Sequence, residues 1–244
     1  MKRKPKIYVI KLNRKILYSM IFIFLIIIGL VVLKNSKASK IFNYRRAKQT
    51  IVIDPGHGGI DGGTGDRKDI LEKDINLDIG IKLKKELLVE GFNVIMTREK
   101  DESLEDLSDI NSSRYRRDLN ARQTIINDNE PLVFISIHVN SSKNSSARGV
   151  KIYHFPDSEE GKKLADSIAK SVDLHIYERL LKDNSLISEV LTENFYILRE
   201  TKYTGVLVEA GFITNIEDNR LLKDEKYKEK LAFAIKKGIL EYLK

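Results

Sequence analysis

The chain has 244 residues, with 43 Lys or Arg, 35 Asp or Glu, a formal net charge of +8 and no cysteine. That length holds one core rather than two once an apolar N-terminal stretch is set aside, and the missing cysteines exclude a thiolate-held structural zinc. The positive charge does not signal nucleic acid: residues 1–48 carry 13 basic residues and no acid, leaving 30 basic against 35 acidic and a net of −5 for residues 49–244; no nucleic-acid partner is expected.

Residues 1–15 form a basic tail with Lys2, Arg3, Lys4, Lys6, Lys11, Arg14 and Lys15. Ile16 to Leu33 then supplies 18 residues without a charge, about 27 Å as a helix and close to the hydrocarbon thickness of a bilayer. The basic flank predicts a cytoplasmic N-terminus, so 16–33 is read as a transmembrane anchor and 34–48 as a basic linker next to the membrane. A cleaved signal peptide competes with this reading. The run is long for one, and Asn35-Ser36-Lys37-Ala38-Ser39 offers no clear small-x-small site.

The catalytic-sized remainder, 49–244, opens on TIVIDPGHGGIDGG, Thr50 to Gly63. Ile51, Val52 and Ile53 are a short β-branched run of the kind a strand buried on both faces shows, expected to stop at Asp54-Pro55. Glycines on either side of His57 leave one imidazole uncrowded at the end of that strand. A helix is predicted from Glu72 to Gly91, with Leu71, Ile75, Ile79, Leu83 and Leu87 four apart on one stripe. At 100° per residue Glu72 lies within about 20° of Ile79 and Leu83, so its carboxylate leaves the buried face at the first turn. Alternatively Glu72 closes a capping box with Asp69.

Phe92 to Met96 reads as a second strand, followed by Thr97-Arg98 and a solvated acidic loop, Glu99 to Asp109; Ser113 to Asn127 is helical and carries Arg117 and Arg122. For Arg98 and these two arginines, a salt-bridged surface is the expected role. Leu132 to Ile137 is a buried strand delivering His138 and Asn140 at its far end. In Gly149 to Phe155, alternation puts His154 on the face opposite Lys151 and Tyr153, a structural position, and His175 is read as a surface residue. Helix is expected through Ser171 to Glu193 with a turn at 182–185, then a strand at Phe195 to Leu198. A last buried strand, Gly205 to Val208, ends in Glu209, and an amphipathic helix from Glu225 to Leu243 covers the sheet with Tyr227, Leu231, Ala234, Ile235, Gly238 and Ile239 inward.

Three apolar strands thus each carry a polar residue just past their last apolar position, and in open α/β sheets the crevice at the carboxyl ends of strands is where ligands sit. Two imidazoles and one or two carboxylates converging there suit a zinc site with three protein ligands and an open position. The segments IDPGHGGIDGG, LEKDINLDI, SIHVNSS and VLVEAGFITN resemble, in order, the four signature segments of the zinc-dependent N-acetylmuramoyl-L-alanine amidases, across the whole of 50 to 244. The resemblance implies a three-layer α/β domain, its mainly parallel sheet flanked by helices, outside a bacterial plasma membrane. It makes His57, Glu72 and His138 zinc ligands and Glu209 the general base for hydrolysis of the amide between the lactyl group of N-acetylmuramic acid and L-alanine in peptidoglycan. Asn140 would orient substrate or a ligand, or merely start the Ser-rich loop.

The family's Pro-Ala before its glutamate strand is replaced here by Thr204-Gly205, which touches a turn and not the chemistry. The phrase Phe195-Tyr196-Ile197-Leu198-Arg199 resembles the germination-related branch that prepares muramic lactam in the spore cortex. Activator-dependent amidases carry a longer inhibitory insertion than Ser171–Glu193 offers, so built-in occlusion is not expected, while an accessory activator protein stays open as a partner. A vegetative wall amidase, another zinc peptidase of the stem peptide and a non-catalytic wall-binding module are the alternatives.

Overall fold

The computed structural model describes residues 14–34, 49–66 and 70–244, with the side chains of the first helix given at Lys15 and 18–27. The chain divides into two units, Met1–Arg45 and Arg46–Lys244. In the first, α1 spans Arg14–Lys34. Its described side chains are exposed, and among the described residues no helix is long and apolar enough to cross a membrane. The basic tail up to residue 13, the linker from 35 to 48 and Asp69 of the proposed capping box lie outside the described residues.

The second unit is built on a six-stranded sheet in the order β4-β1-β5-β8-β6-β7, comprising β1 (Thr50–Pro55), β4 (Asn93–Met96), β5 (Val133–Asn140), β6 (Lys151–His154), β7 (Glu189–Thr192) and β8 (Gly205–Phe212). A separate two-stranded ribbon pairs β2 (Gly65–Asp66) with β3 (Ile70–Leu71). The helices are α2 (Glu72–Val89), α3 (Arg114–Asp128), α4 (Glu159–Val172), α5 (Tyr196–Glu200), α6 (Ile216–Lys223) and α7 (Glu225–Tyr242).

Both faces of the central strands are covered, which is why they read as continuous apolar runs. Ile51 and Ile53, Val133, Ile135 and Ile137, and Val206 and Val208 point into the larger core under α2, α4 and α7. Val52, Phe134 and Leu207 point the other way, against Ile126 of α3 and Ile197 and Leu198 of α5. Fully burying each such side chain stabilises by roughly 1.5–3 kcal/mol. The stripe of α2 is buried as expected at Ile75, Ile79, Leu83 and Leu87, and that of α7 at Tyr227, Leu231, Ala234, Ile235, Gly238 and Ile239.

Four departures from the sequence reading have physical causes. The sheet is mixed: four pairings are parallel, but β6 runs antiparallel to β8. The loop from Asn140 to Lys151 is too short and contains no helix, so it cannot make the crossover a parallel neighbour requires. β1 continues through Pro55, paired with Ile137, because a proline ends a ladder only on the side its missing N–H would serve. The stretch after the 182–185 turn is not helix but β7, an edge strand parallel to β6, and Phe195–Leu198 is not strand but the start of α5. Both runs are too short for periodicity to separate the two states.

Candidate metal centre

The carboxyl ends of β1, β5 and β8 and the first turn of α2 bring four of the predicted residues together. His57 follows β1, His138 lies in β5 directly paired with Glu209 of β8, and Glu72 opens α2. The three ligand atoms offered by His57, Glu72 and His138 all lie within 4.8 Å of one another. His57 Nε2 is 3.1 Å and His138 Nδ1 2.9 Å from the same oxygen, Glu72 Oε1, and the two rings meet edge to face with centroids 5.0 Å apart. Two ring nitrogens facing one carboxylate oxygen call for positive charge between them, either protons or a cation. That donor set fits a zinc-sized ion.

Each of the three donors is held from behind. His57 Nδ1 sits 2.8 Å from Asp61 Oδ2, which fixes the tautomer so that Nε2 faces inward. Glu72 accepts the Thr64 N–H at 2.8 Å on Oε2 and the Val139 N–H at 3.1 Å on Oε1. Among the described residues it bonds no N-terminal N–H of α2, whose capping position, Leu71, has no side-chain cap. Gly56 and Gly63 make room for the rings: a Cβ on Gly56 would fall 2.2 Å from the His138 ring, and one on Gly63 2.5 Å from Glu72 Oε2. His57 itself adopts φ 61°, a left-handed conformation uncommon for a residue with a side chain.

Sequence reasoning missed what holds that conformation. Arg98 and Arg122, expected at the surface, are both only 2% exposed. Arg98 donates to Pro55 O at 2.9 Å, Gly56 O at 2.9 Å and Lys73 O at 2.8 Å. Arg122 donates to Pro55 O at 2.7 Å, His57 O at 2.6 Å and Asp54 Oδ1 at 2.9 Å. Asp54, buried in turn, also accepts from Thr97 and Ser136. Burial works against its charge, yet Arg122 and these hydroxyls hold its carboxyl below the ordinary carboxylate value. Asp61 was likewise unread, although its position four residues after His57 was a visible signal. Arg117, half-buried, donates to the carbonyls of Glu105 and Ser112.

Glu209 is half-buried beside the cluster, and its Oε2 is buried without a hydrogen-bond partner. Burial pushes its carboxyl up to about 7, with the His138 charge opposing and that of Glu72 adding. For His57, burial disfavours the charged ring, but Glu72 and Asp61 outweigh it and raise the ring to about 9. The same two histidines hold Glu72 well below the usual range despite its burial.

The register of β5 and β8 shifts between His138 and Asn140, an irregularity of the kind that re-aims side chains beside functional sites. Asn140 lines the groove, and its Oδ1 accepts the Ser141 N–H at 2.8 Å, a loop-starting contact. His154 is buried apart from the group, its Nδ1 2.9 Å from Phe155 O. His175, read as a surface residue, is half-buried edge to face against Phe233 at 5.1 Å. Neither joins the cluster.

The groove over the cluster has a volume of about 290 Å³ and is lined by His57, Glu72, His138, Asn140 and Glu209 on its floor, with Tyr115, Phe195 and Tyr196 on its wall. A larger depression of about 460 Å³, lined by Asp173, Tyr177 and Ile187, contains no histidine. Size alone therefore does not mark the site.

Residues 51–241 match the model of the family described as Amidase_3, N-acetylmuramoyl-L-alanine amidase. The chain is 31% identical over 222 residues, 91% of each chain, to the germination-specific N-acetylmuramoyl-L-alanine amidase of Bacillus subtilis (strain 168). It is 33% identical over 198 residues to the probable cell wall amidase LytH of Staphylococcus epidermidis (strain ATCC 12228 / FDA PCI 1200), covering 80% of this chain and 58% of that one. Among solved structures, it is similar to the CwlD amidase from Clostridioides difficile in complex with the GerS lipoprotein, with TM-score 0.72 and 35% identity over 80% of this chain and 98% of that chain.

Proposed function

The chain belongs to the N-acetylmuramoyl-L-alanine amidase family, and on that premise we propose that it cleaves the lactyl–L-alanine amide of peptidoglycan with zinc held by His57, Glu72 and His138. Glu209 is the general base. The single observation that carries this is the unpartnered, buried Oε2 of Glu209 beside the three converging donors. The ion, when bound, supplies Lewis-acid polarisation of the amide carbonyl and a water acidified toward neutrality.

The rest of the work belongs to the protein. Asp61 keeps His57 Nδ1 occupied and its Nε2 turned to the centre. Glu209 takes a proton from the attacking water and passes it to the departing nitrogen. A carboxyl that burial has moved toward neutrality is matched to accepting and then releasing a proton. Asn140, which lines the groove, orients the substrate.

The biological setting is read as the spore cortex, where freeing the lactyl carboxyl precedes closure of muramic lactam. The 91% coverage shared with a germination-specific relative supports this. Identity to the LytH proteins favours a vegetative wall role as the second reading. The 18 uncharged residues of Ile16–Leu33 behind a basic tail support a single-pass anchor with residues 49–244 outside the membrane. The GerS complex of the similar CwlD supports an accessory protein as partner.

Digestion of purified peptidoglycan followed by mass analysis tests the reaction. New L-alanine amino termini on released peptides, with the glycan chains left intact, are expected; cleavage within the peptide would instead identify a stem peptidase, and binding without cleavage a wall-binding module. Glu209→Gln should keep bound zinc and lose hydrolysis by about 10²- to 10⁴-fold. Loss of muramic lactam in spores of a deletion strain separates the cortex role from the vegetative one.

A further inference from the structure

Beyond the reacting centre, the groove carries an asymmetry of charge. His57 and Tyr115 line it and also line a second depression, a further arm of the groove, together with Ile60, Ser103 and Arg114. In that second arm the charges are closed upon themselves. Arg114 Nε is 3.2 Å from Glu105 Oε1, and Asp118 is bound by Arg122 at 2.5 Å and by the Leu104 N–H at 2.7 Å.

The groove differs at Tyr196. Tyr196 lies between two guanidinium groups, with Arg116 Cζ 4.1 Å and Arg199 Cζ 5.6 Å from its ring centroid. Arg199 is neutralised by Glu200 at 2.8 Å. Arg116 is exposed, and among the described residues no acidic side chain pairs with it. It stands as an uncompensated cation stacked on Tyr196, which lines the groove that holds Glu209, and stacking on an aromatic face leaves the N–H edges of a guanidinium free to grip a carboxylate bidentately.

We infer that Arg116, braced on Tyr196, reads a free carboxylate of the stem peptide, so that the peptide leaves the reacting centre along the Tyr196 wall. The uncharged glycan then lies toward the arm of Tyr115 and Ile60, which offers an aromatic plate and apolar surface with no unpaired charge. This inference rests on the amidase reading, because it takes the peptide and the glycan as the two halves of the substrate. Bidentate recognition by a charged group supports a preference of about tenfold for the carboxylate over its amide.

The test uses the zinc-loaded full chain and two synthetic muramyl peptides, identical except that the stem carboxylates of one are converted to carboxamides. The wild-type chain should favour the carboxylate form about tenfold in kcat/KM, mostly through KM, and the ratio should shrink as ionic strength rises. Arg116→Ala should bring the ratio close to one. Arg116→Lys, which keeps the charge but loses the fork, should restore part of it, and Arg114→Ala in the other arm should leave the ratio as in wild type. A wild-type ratio near one, or an Arg116→Ala ratio equal to wild type, overturns the inference while hydrolysis of both peptides leaves the amidase reading standing. Cleavage of neither peptide overturns both.

Discussion

The loop that carries His57 and the wall that carries Tyr115 and Tyr196 border the same groove, and they are built on opposite principles. Beneath the loop, two buried arginines donate to the carbonyls of Pro55, Gly56 and His57, and one of them, Arg122, is paired with the buried carboxylate of Asp54. Along the wall, Tyr115 is 63% exposed and the Arg116 guanidinium stacks on an aromatic face. A metal ligand must be fixed before the ion arrives, and fixing it costs buried charge that has to be fully paired. A wall that receives a long, variable polymer gains nothing from such rigidity. The two regions should therefore separate cleanly when each is mutated: the loop through stability and metal affinity, the wall through substrate kinetics.

Arg122→Met puts the largest load on that comparison. It leaves Asp54 buried against Thr97 and Ser136 without its cation, and a broken buried pair costs about 3–5 kcal/mol. Urea denaturation should register a loss of that size, and Asp54→Asn in the same chain should recover part of it by removing the stranded charge. A loss no larger than that of an exposed substitution would mean that the loop does not depend on its underside.

Asp61→Ala comes next. It removes the partner of His57 Nδ1 without disturbing the buried arginines, and a lost outer partner of a metal-ligating histidine costs about 10- to 100-fold in metal affinity. Competition with a chelator of known affinity measures it, and the urea midpoint should move little. If zinc binding were unchanged and the midpoint fell instead, Asp61 would be a brace of the fold rather than of the ligand.

The contrast between loop and wall also explains what could be read from the sequence. His57, Glu72, His138 and Glu209 were legible because each follows an apolar run or opens an amphipathic helix, and strand ends in such sheets converge. Arg98 and Arg122 were not, because a guanidinium in a polar stretch is usually solvated; only the fold reveals that seven backbone and side-chain oxygens receive their hydrogen bonds. The antiparallel turn of β6 was hidden in a loop length, and α5 and β7 in apolar runs too short to show a period. What failed was local state in short segments and the identity of buried partners. What held was long-range order imposed by periodic strands and helices.

Acid titration sharpens the loop side further. Asp54 has its carboxyl lowered in the folded chain, so the stability it contributes is fully present above the ordinary carboxylate value of about 3.9 and is lost as pH falls through its lower folded value. Urea midpoints measured from neutral pH downward should show a decline below about pH 4. In Asp54→Asn that part of the decline should be absent, on top of a lower midpoint throughout. A decline of equal steepness in the variant would assign the acid limb to other carboxylates.

Tyr115→Ala probes the wall and carries the smallest structural effect. The side chain lines both arms of the groove but is mostly in water, so its truncation should change stability by no more than about 0.5 kcal/mol. Its ring can pack against substrate only when substrate is there, and an interaction made equally in the ground and transition states appears in KM and leaves kcat alone. A several-fold rise in KM with an unmoved urea midpoint would complete the separation between a loop that is paid for in folding and a wall that acts only on binding. A midpoint that fell by as much as that of Arg122→Met would instead make the wall part of the same rigid frame, and the distinction between the two sides of the groove would no longer hold.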